Sequence, residues 1–101
     1  MILLFSDSGF SYPTDRELEV HRRVSLRHPE VTTRDVETAW RNAVAMRLRT
    51  MEPQPPAHII AAGADSKGRL IETIGVELDN GQVLVYHAQK LTAKMQAELG
   101  L

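Results

Sequence analysis

The chain has 101 residues, of which 43% are hydrophobic and 25% are charged, and its formal net charge is −1. This length and composition predict one globular domain over residues 1–101 and do not favour an intrinsically disordered chain. The absence of cysteine excludes disulfides, cysteine-based zinc sites and thiol catalysis. The apolar start ends at Ser6-Asp7, too early for a signal peptide or a membrane span, so a cytoplasmic protein is expected.

Two helices are predicted in the first half of the chain. The first runs from Asp15 to Arg27 behind Thr14 as its N-cap, although its apolar residues spread around the helical wheel. It ends at His28, because a residue that precedes proline avoids the helical conformation.

The second predicted helix covers residues 34–43. Thr32 and Asp35 have the spacing of a capping box with Asp in place of Glu. The apolar residues that recur at helical spacing after them are Val36, Ala39, Trp40 and Ala43. This helix is therefore expected to bury the only tryptophan of the chain.

The second half of the chain predicts an antiparallel sheet and a final helix. The four strands are placed near residues 44–51, 58–64, 69–78 and 82–88. Asn80-Gly81 predicts a type I′ hairpin turn, and Gly75 marks a bulge or bend in its strand. Thr92 is suited to cap the final helix. The predicted fold class is α+β, with two N-terminal helices, a four-stranded antiparallel sheet and a C-terminal helix.

An ordered series of short motifs carries a family resemblance. The series consists of Arg27-His28, the helix at 34–43, the strands from His58 and from Arg69, and Tyr86-His87-Ala88-Gln89 before the last helix. Over roughly residues 27–99 the chain resembles the BrnT-like toxins of the RelE superfamily, whereas residues 1–20 have no counterpart there. The resemblance implies a RelE-like fold, an endoribonuclease that needs no metal or other cofactor, and a ribbon-helix-helix antitoxin as partner.

RNA cleavage without a metal needs a base, an acid and cations around the phosphate. His87 is the candidate acid or base, because histidine titrates near neutral pH, and Arg69 and Lys90 are expected to flank it across the hairpin. A structural role is the alternative for His87, because strict alternation places it beside Val83 and Val85 on a packed face.

Further basic side chains are candidates for RNA binding: Arg47, Arg49, Lys94, Arg27 and His28. Arg47 and Arg49 share one strand face and are suited to clamp a phosphate, or they form a solvated face. The run from His21 to His28 contains no acid and suits RNA, an acidic partner or plain solvation. No metal site is expected, because His21 and His28 lie about two helical turns apart.

Two functional classes remain open besides a toxin-like nuclease. One is a non-catalytic RelE-like module that binds a protein partner or acts with an antitoxin as co-repressor. The other is an unrelated small domain that shares only the topology. The assembly is left open between a monomer and a homodimer, and a membrane is not an expected partner.

Overall fold

The fold was analysed in a computed structural model, which describes residues 16–49 and 58–101. Three helices and five strands follow one another in these residues. They are β1 (Leu18–Val20), α1 (Arg23–Arg27), α2 (Thr33–Arg41), β2 (Ala43–Arg49), β3 (His58–Ala64), β4 (Leu70–Glu77), β5 (Val83–Lys90) and α3 (Ala93–Leu99). The proposed cap Thr14 and the last two residues of the first predicted strand, 50 and 51, lie outside the described residues.

The sheet has the strand order β1-β5-β4-β3-β2. Strands β2 to β5 form the predicted antiparallel meander, which confirms the α+β class and the central arrangement. The sheet as a whole is mixed, because β1 adds a fifth strand that pairs in parallel with β5. The prediction of a purely antiparallel sheet of four strands was therefore wrong.

The first predicted helix was partly wrong, because β1 lies within its range. Leu18 and Val20 are partly buried on either side of the exposed Glu19, and they pair with Val83 and Val85 of β5. Of the described residues in the predicted range, 16–27, only those of α1 are helical, and Val24 is the one buried residue of α1. The scattered apolar residues that made a poor helix face fit a short strand followed by one helical turn.

Helix α2 covers one face of the sheet, called here the α2 face. Its N-terminus has the predicted capping box, with Asp35 N donating to Thr32 Oγ1 at 3.1 Å and Thr32 N donating to Asp35 Oδ2 at 2.9 Å. Trp40 and Val36 are completely buried against the sheet, as predicted. Gly63 permits the close approach of α2, because a Cβ there would lie 2.1 Å from the Ala39 carbonyl oxygen.

Helix α3 covers part of the opposite face, called here the α3 face. Thr92 caps it as predicted, accepting a hydrogen bond from Met95 N at 3.2 Å. Met95 and Leu99 pack on Ile60 and the neighbouring small residues of β2 and β3. Because α3 packs mainly over that half of the sheet, the β4 and β5 half presents polar side chains on this face.

The hairpin between β4 and β5 has a different turn from the one predicted. Gly81 has a φ of 86° and its N–H bonds the Leu78 carbonyl at 2.9 Å, while no described residue other than glycine has a positive φ. A type I′ turn requires positive φ at both central residues, so Asn80 cannot belong to one. The loop instead has three residues and places its glycine in the left-handed conformation, which is a common hairpin solution.

Candidate functional site

A β-bulge decides which way His87 faces. Ile74 pairs with His87 and the next residue, Gly75, pairs with Val85, so Tyr86 is an extra residue in β5. The bulge predicted at Gly75 is thus present, with its extra residue on the partner strand. An inserted residue reverses the alternation of side chains, which places His87 on the α3 face. The interpretation that put it beside Val83 on the packed face was wrong.

His87 is paired with a buried carboxylate. Its Nε2 lies 2.9 Å from Oε2 of Glu72, whose side chain is only 4% exposed, while the side chain of His87 is 28% exposed. Gln89 Nε2 donates to the same carboxylate oxygen at 3.3 Å. A half-exposed imidazole held on one side by a buried acid is an arrangement suited to proton transfer.

The second oxygen of Glu72 is bound to the start of α3. Its Oε1 accepts hydrogen bonds from Thr92 N at 2.8 Å and from Thr92 Oγ1 at 2.7 Å. Burial by itself would raise the pKa of Glu72, but the hydrogen bonds from Thr92, His87 and Gln89 outweigh it, so the pKa is lowered. Glu72 is therefore ionised at neutral pH.

Helix α1 completes the site from the edge of the sheet. The ring of His28, at the end of α1, stands edge to face with the ring of His87 at a centroid distance of 6.3 Å. The two imidazoles share a small open pocket with two arginines. Its lining consists of Arg23, Val24, Arg27, His28, Ile74, Tyr86, His87 and Ala88. The structure thus brings together three of the residues expected from the sequence, His87, Arg27 and His28.

Arg69 and Lys90 are not part of this group. Lys90 pairs with Ile71, whose side chain lies in the core of the α2 face, and cross-strand partners share a face. Arg69 binds Asp65 at 2.7 Å and Asp35 at 3.2 Å, also on the α2 face. The expectation that both residues flank His87 was wrong, because the bulge puts His87 on the other face of the sheet.

Arg47, Arg49 and Lys94 lie elsewhere on the α3 face or on α3 itself. Arg49 forms a two-point ion pair with Glu98, with its Nη2 at 2.6 Å and its Nε at 2.8 Å from the carboxylate oxygens. Arg47 donates to the Glu98 carbonyl at 2.9 Å. Lys94 is exposed and its charge helps to lower the pKa of Glu98, after the larger effect of Arg49. The two arginines therefore fasten α3 to β2.

Three residues of the site were not expected from the sequence: Glu72, Thr92 as its partner, and Arg23. Glu72 interrupts an apolar run in β4, and a charged residue in such a run is buried only with a partner. That signal was available, but the identity of the partner depended on the pairing of β4 with β5. Arg23 belongs to the basic run from His21 to His28, and nothing in the sequence distinguished it from the neighbouring arginines.

In residues 16–49 and 58–101, no group of three His, Asp or Glu side chains is placed to hold a metal ion. No helix of the same residues is both long and apolar enough to cross a membrane. Comparisons with protein-family models, with curated proteins and with solved structures found no match. Any functional assignment therefore depends on the chemistry of the pocket.

Proposed function

We propose that this chain is an endoribonuclease of the RelE-like toxin type that cleaves RNA without a metal ion. The observation that carries the proposal is the pairing of His28 with His87, 6.3 Å apart, in one pocket with Arg23 and Arg27. Metal-free RNA cleavage needs two proton-transfer groups and a stabilised phosphate, and these four side chains supply that set.

His87 is assigned as the base in this proposal. It removes the proton from the 2′-hydroxyl, whose oxygen then attacks the adjacent phosphorus while the bond from phosphorus to the 5′-oxygen breaks. The products are a 2′,3′-cyclic phosphate and a 5′-hydroxyl. Glu72 stabilises the imidazolium that His87 becomes, because its carboxylate lies 2.9 Å from Nε2.

His28 is assigned as the acid that protonates the departing 5′-oxygen. The carboxylate of Glu30 lies 3.7 Å from its Nδ1, which is an ion-pair distance when the ring is protonated. With the rings 6.3 Å apart, both imidazoles come within hydrogen-bond reach of oxygens of one phosphodiester.

Arg23 and Arg27 are assigned to stabilise the negative charge of the pentacovalent phosphate. They are four residues apart on α1 and therefore project on the same side of the helix. Guanidinium groups bind phosphate oxygens in a planar, two-point geometry, which favours arginine at this position. As part of the same proposal, a ribbon-helix-helix antitoxin holds the enzyme inactive in the cytoplasm.

The test uses the purified chain, a mixed-sequence RNA and excess chelator at near-neutral pH. Wild type should release 2′,3′-cyclic phosphate ends, and His87→Ala and His28→Ala should each slow cleavage by about 10²–10⁴-fold. Lys94→Ala is the matched control, because its exposed side chain does not line the pocket, and it should stay near the wild-type rate.

RNA left intact by wild type, or cleaved equally by both histidine variants, would contradict the nuclease assignment. The non-catalytic binding module would then be the better reading of the pocket.

A further inference from the structure

Glu72 is a buried carboxylate on the α3 face, and the role assigned to it above uses only its contact with His87. Both of its oxygens are engaged, one by Thr92 and the other by His87 and Gln89. Its side chain is 4% exposed. A carboxylate buried to this extent costs folding energy unless its partners are fixed, so the cluster is held in one arrangement.

The arrangement determines which nitrogen of His87 carries the proton. An ionised carboxylate only accepts hydrogen bonds, so the contact of 2.9 Å requires His87 Nε2 to donate. In the neutral imidazole the other nitrogen, Nδ1, then has a free lone pair. Among the described residues Nδ1 has no hydrogen-bond partner, so it is the atom available to a substrate.

We propose that Glu72 is a positioning residue that holds His87 protonated on Nε2, and that Nδ1 of His87 is the atom that takes the 2′-hydroxyl proton. The second half of this inference rests on the proposed ribonuclease function. The first half concerns the free protein and stands by itself.

Thr92 determines which of the two terminal atoms of residue 72 faces His87. The Thr92 backbone N–H can only donate, so the atom facing it at 2.8 Å must be an acceptor. In a Glu72→Gln variant the carbonyl oxygen must therefore stay beside Thr92, and the amide NH₂ must face His87. The NH₂ would donate to Nε2, and neutral His87 would have to carry its proton on Nδ1.

The experiment measures the protonated nitrogen of His87 by two-bond ¹H–¹⁵N correlation NMR and the cleavage rate in parallel. Wild type should show the Nε2-protonated form of neutral His87, and Glu72→Gln should show the Nδ1-protonated form. The kcat of Glu72→Gln should fall by about 10²–10⁴-fold with little change in KM, because the base then presents a proton instead of a lone pair.

Glu98→Gln is the matched control, since it makes the same change of carboxylate to amide at a residue that binds Arg49 and does not line the pocket, and it should retain the wild-type tautomer and rate. Neutral His87 protonated on Nδ1 in wild type would overturn the proposal, and this measurement needs no variant to fold. Full cleavage by folded Glu72→Gln would overturn it as well. If wild type cleaves no RNA, the ribonuclease function fails, and the wild-type tautomer still decides whether Glu72 fixes the ring.

Discussion

The two faces of the sheet each bury a carboxylate beside the start of a helix, and the two sites differ in the partner of the charge. On the α2 face the side chain of Asp35 is 4% exposed and caps α2 with Thr32, while on the α3 face the side chain of Glu72 is 4% exposed and binds Thr92, the cap of α3. Asp35 is paired with Lys67 and Arg69, whereas Glu72 is paired with His87.

The difference in partner separates a structural site from a site suited to chemistry. An arginine side chain does not serve as a proton donor or acceptor in proteins, so the cluster of Asp35, Asp65 and Arg69 is suited to a structural role. An imidazole can both bind and release a proton, so the pair of Glu72 and His87 is suited to proton transfer. Equal burial of two carboxylates therefore does not imply equal roles.

Acid should remove both sites at once, which is the largest expected effect. Burial by itself would raise the pKa values of Asp35 and Asp65, but hydrogen bonds from Thr32 to the first and from Arg69 to the second outweigh it, so both are lowered, as is that of Glu72. A lowered folded-state pKa gives stability that is complete above the ordinary values of 3.8 and 4.5 and is lost as pH falls below them.

Urea unfolding followed from pH 7 to pH 2 should show this loss. The free energy of unfolding should begin to fall as pH approaches 4.5 and continue to fall below 3.8. A flat profile over that range would mean that neither cluster contributes to stability through its charge.

Removing the arginine should break the α2-face cluster alone. Arg69→Met leaves Asp35 and Asp65 without their close cation, which should lower the free energy of unfolding by about 3 kcal/mol. Lys67→Met is the control, because Lys67 is 59% exposed and lies 3.5 Å from Asp35, and it should cost less than about 1 kcal/mol. Chemical denaturation of the two variants measures the difference, and equal losses would show that Arg69 has no special role.

The smallest expected effect separates the two helix caps. Thr32→Val and Thr92→Val each remove a capping oxygen and should each cost about 1 kcal/mol in denaturant unfolding. Only Thr92→Val also removes a hydrogen bond to Glu72, so only this variant should slow RNA cleavage, by about tenfold. Equal rates of RNA cleavage by the two variants would show that Thr92 does not contribute to the site.

The sequence predicted the elements that local signals encode. The capping box of Thr32 and Asp35, the periodic apolar residues around Trp40 and the alternation of the later strands all act within a few residues. The pairing of β1 with β5 could not be found in this way, because it joins residues more than 60 positions apart in parallel. A strand of three residues has little pattern of its own.

The candidate site was predicted in part for the same reason. His87, His28 and Arg27 were selected by residue type and meet in the pocket, but their meeting depends on the fold of α1 against β5. Arg69 was assigned to the wrong face of the sheet relative to His87, because the register was counted without deciding which strand contains the extra residue. The acid beside His87 comes from β4, 15 residues away, and no local pattern joins the two.

Because Tyr86 is an extra residue, the side chains of β5 that enter the core have odd numbers before it and even numbers after it. Up to Val85 the odd-numbered side chains enter the core of the α2 face, and beyond the bulge the even-numbered Ala88 does so. Deleting Tyr86 would remove the bulge and leave Val85, His87 and Ala88 in regular alternation, so His87 would still lie on the α3 face. Regular pairing with Tyr86 retained would instead turn the imidazole of His87 into the apolar core and the methyl group of Ala88 outward. Homologous chains that keep this pocket should therefore accept a gap at position 86, whereas chains that keep a residue there must also keep the bulge.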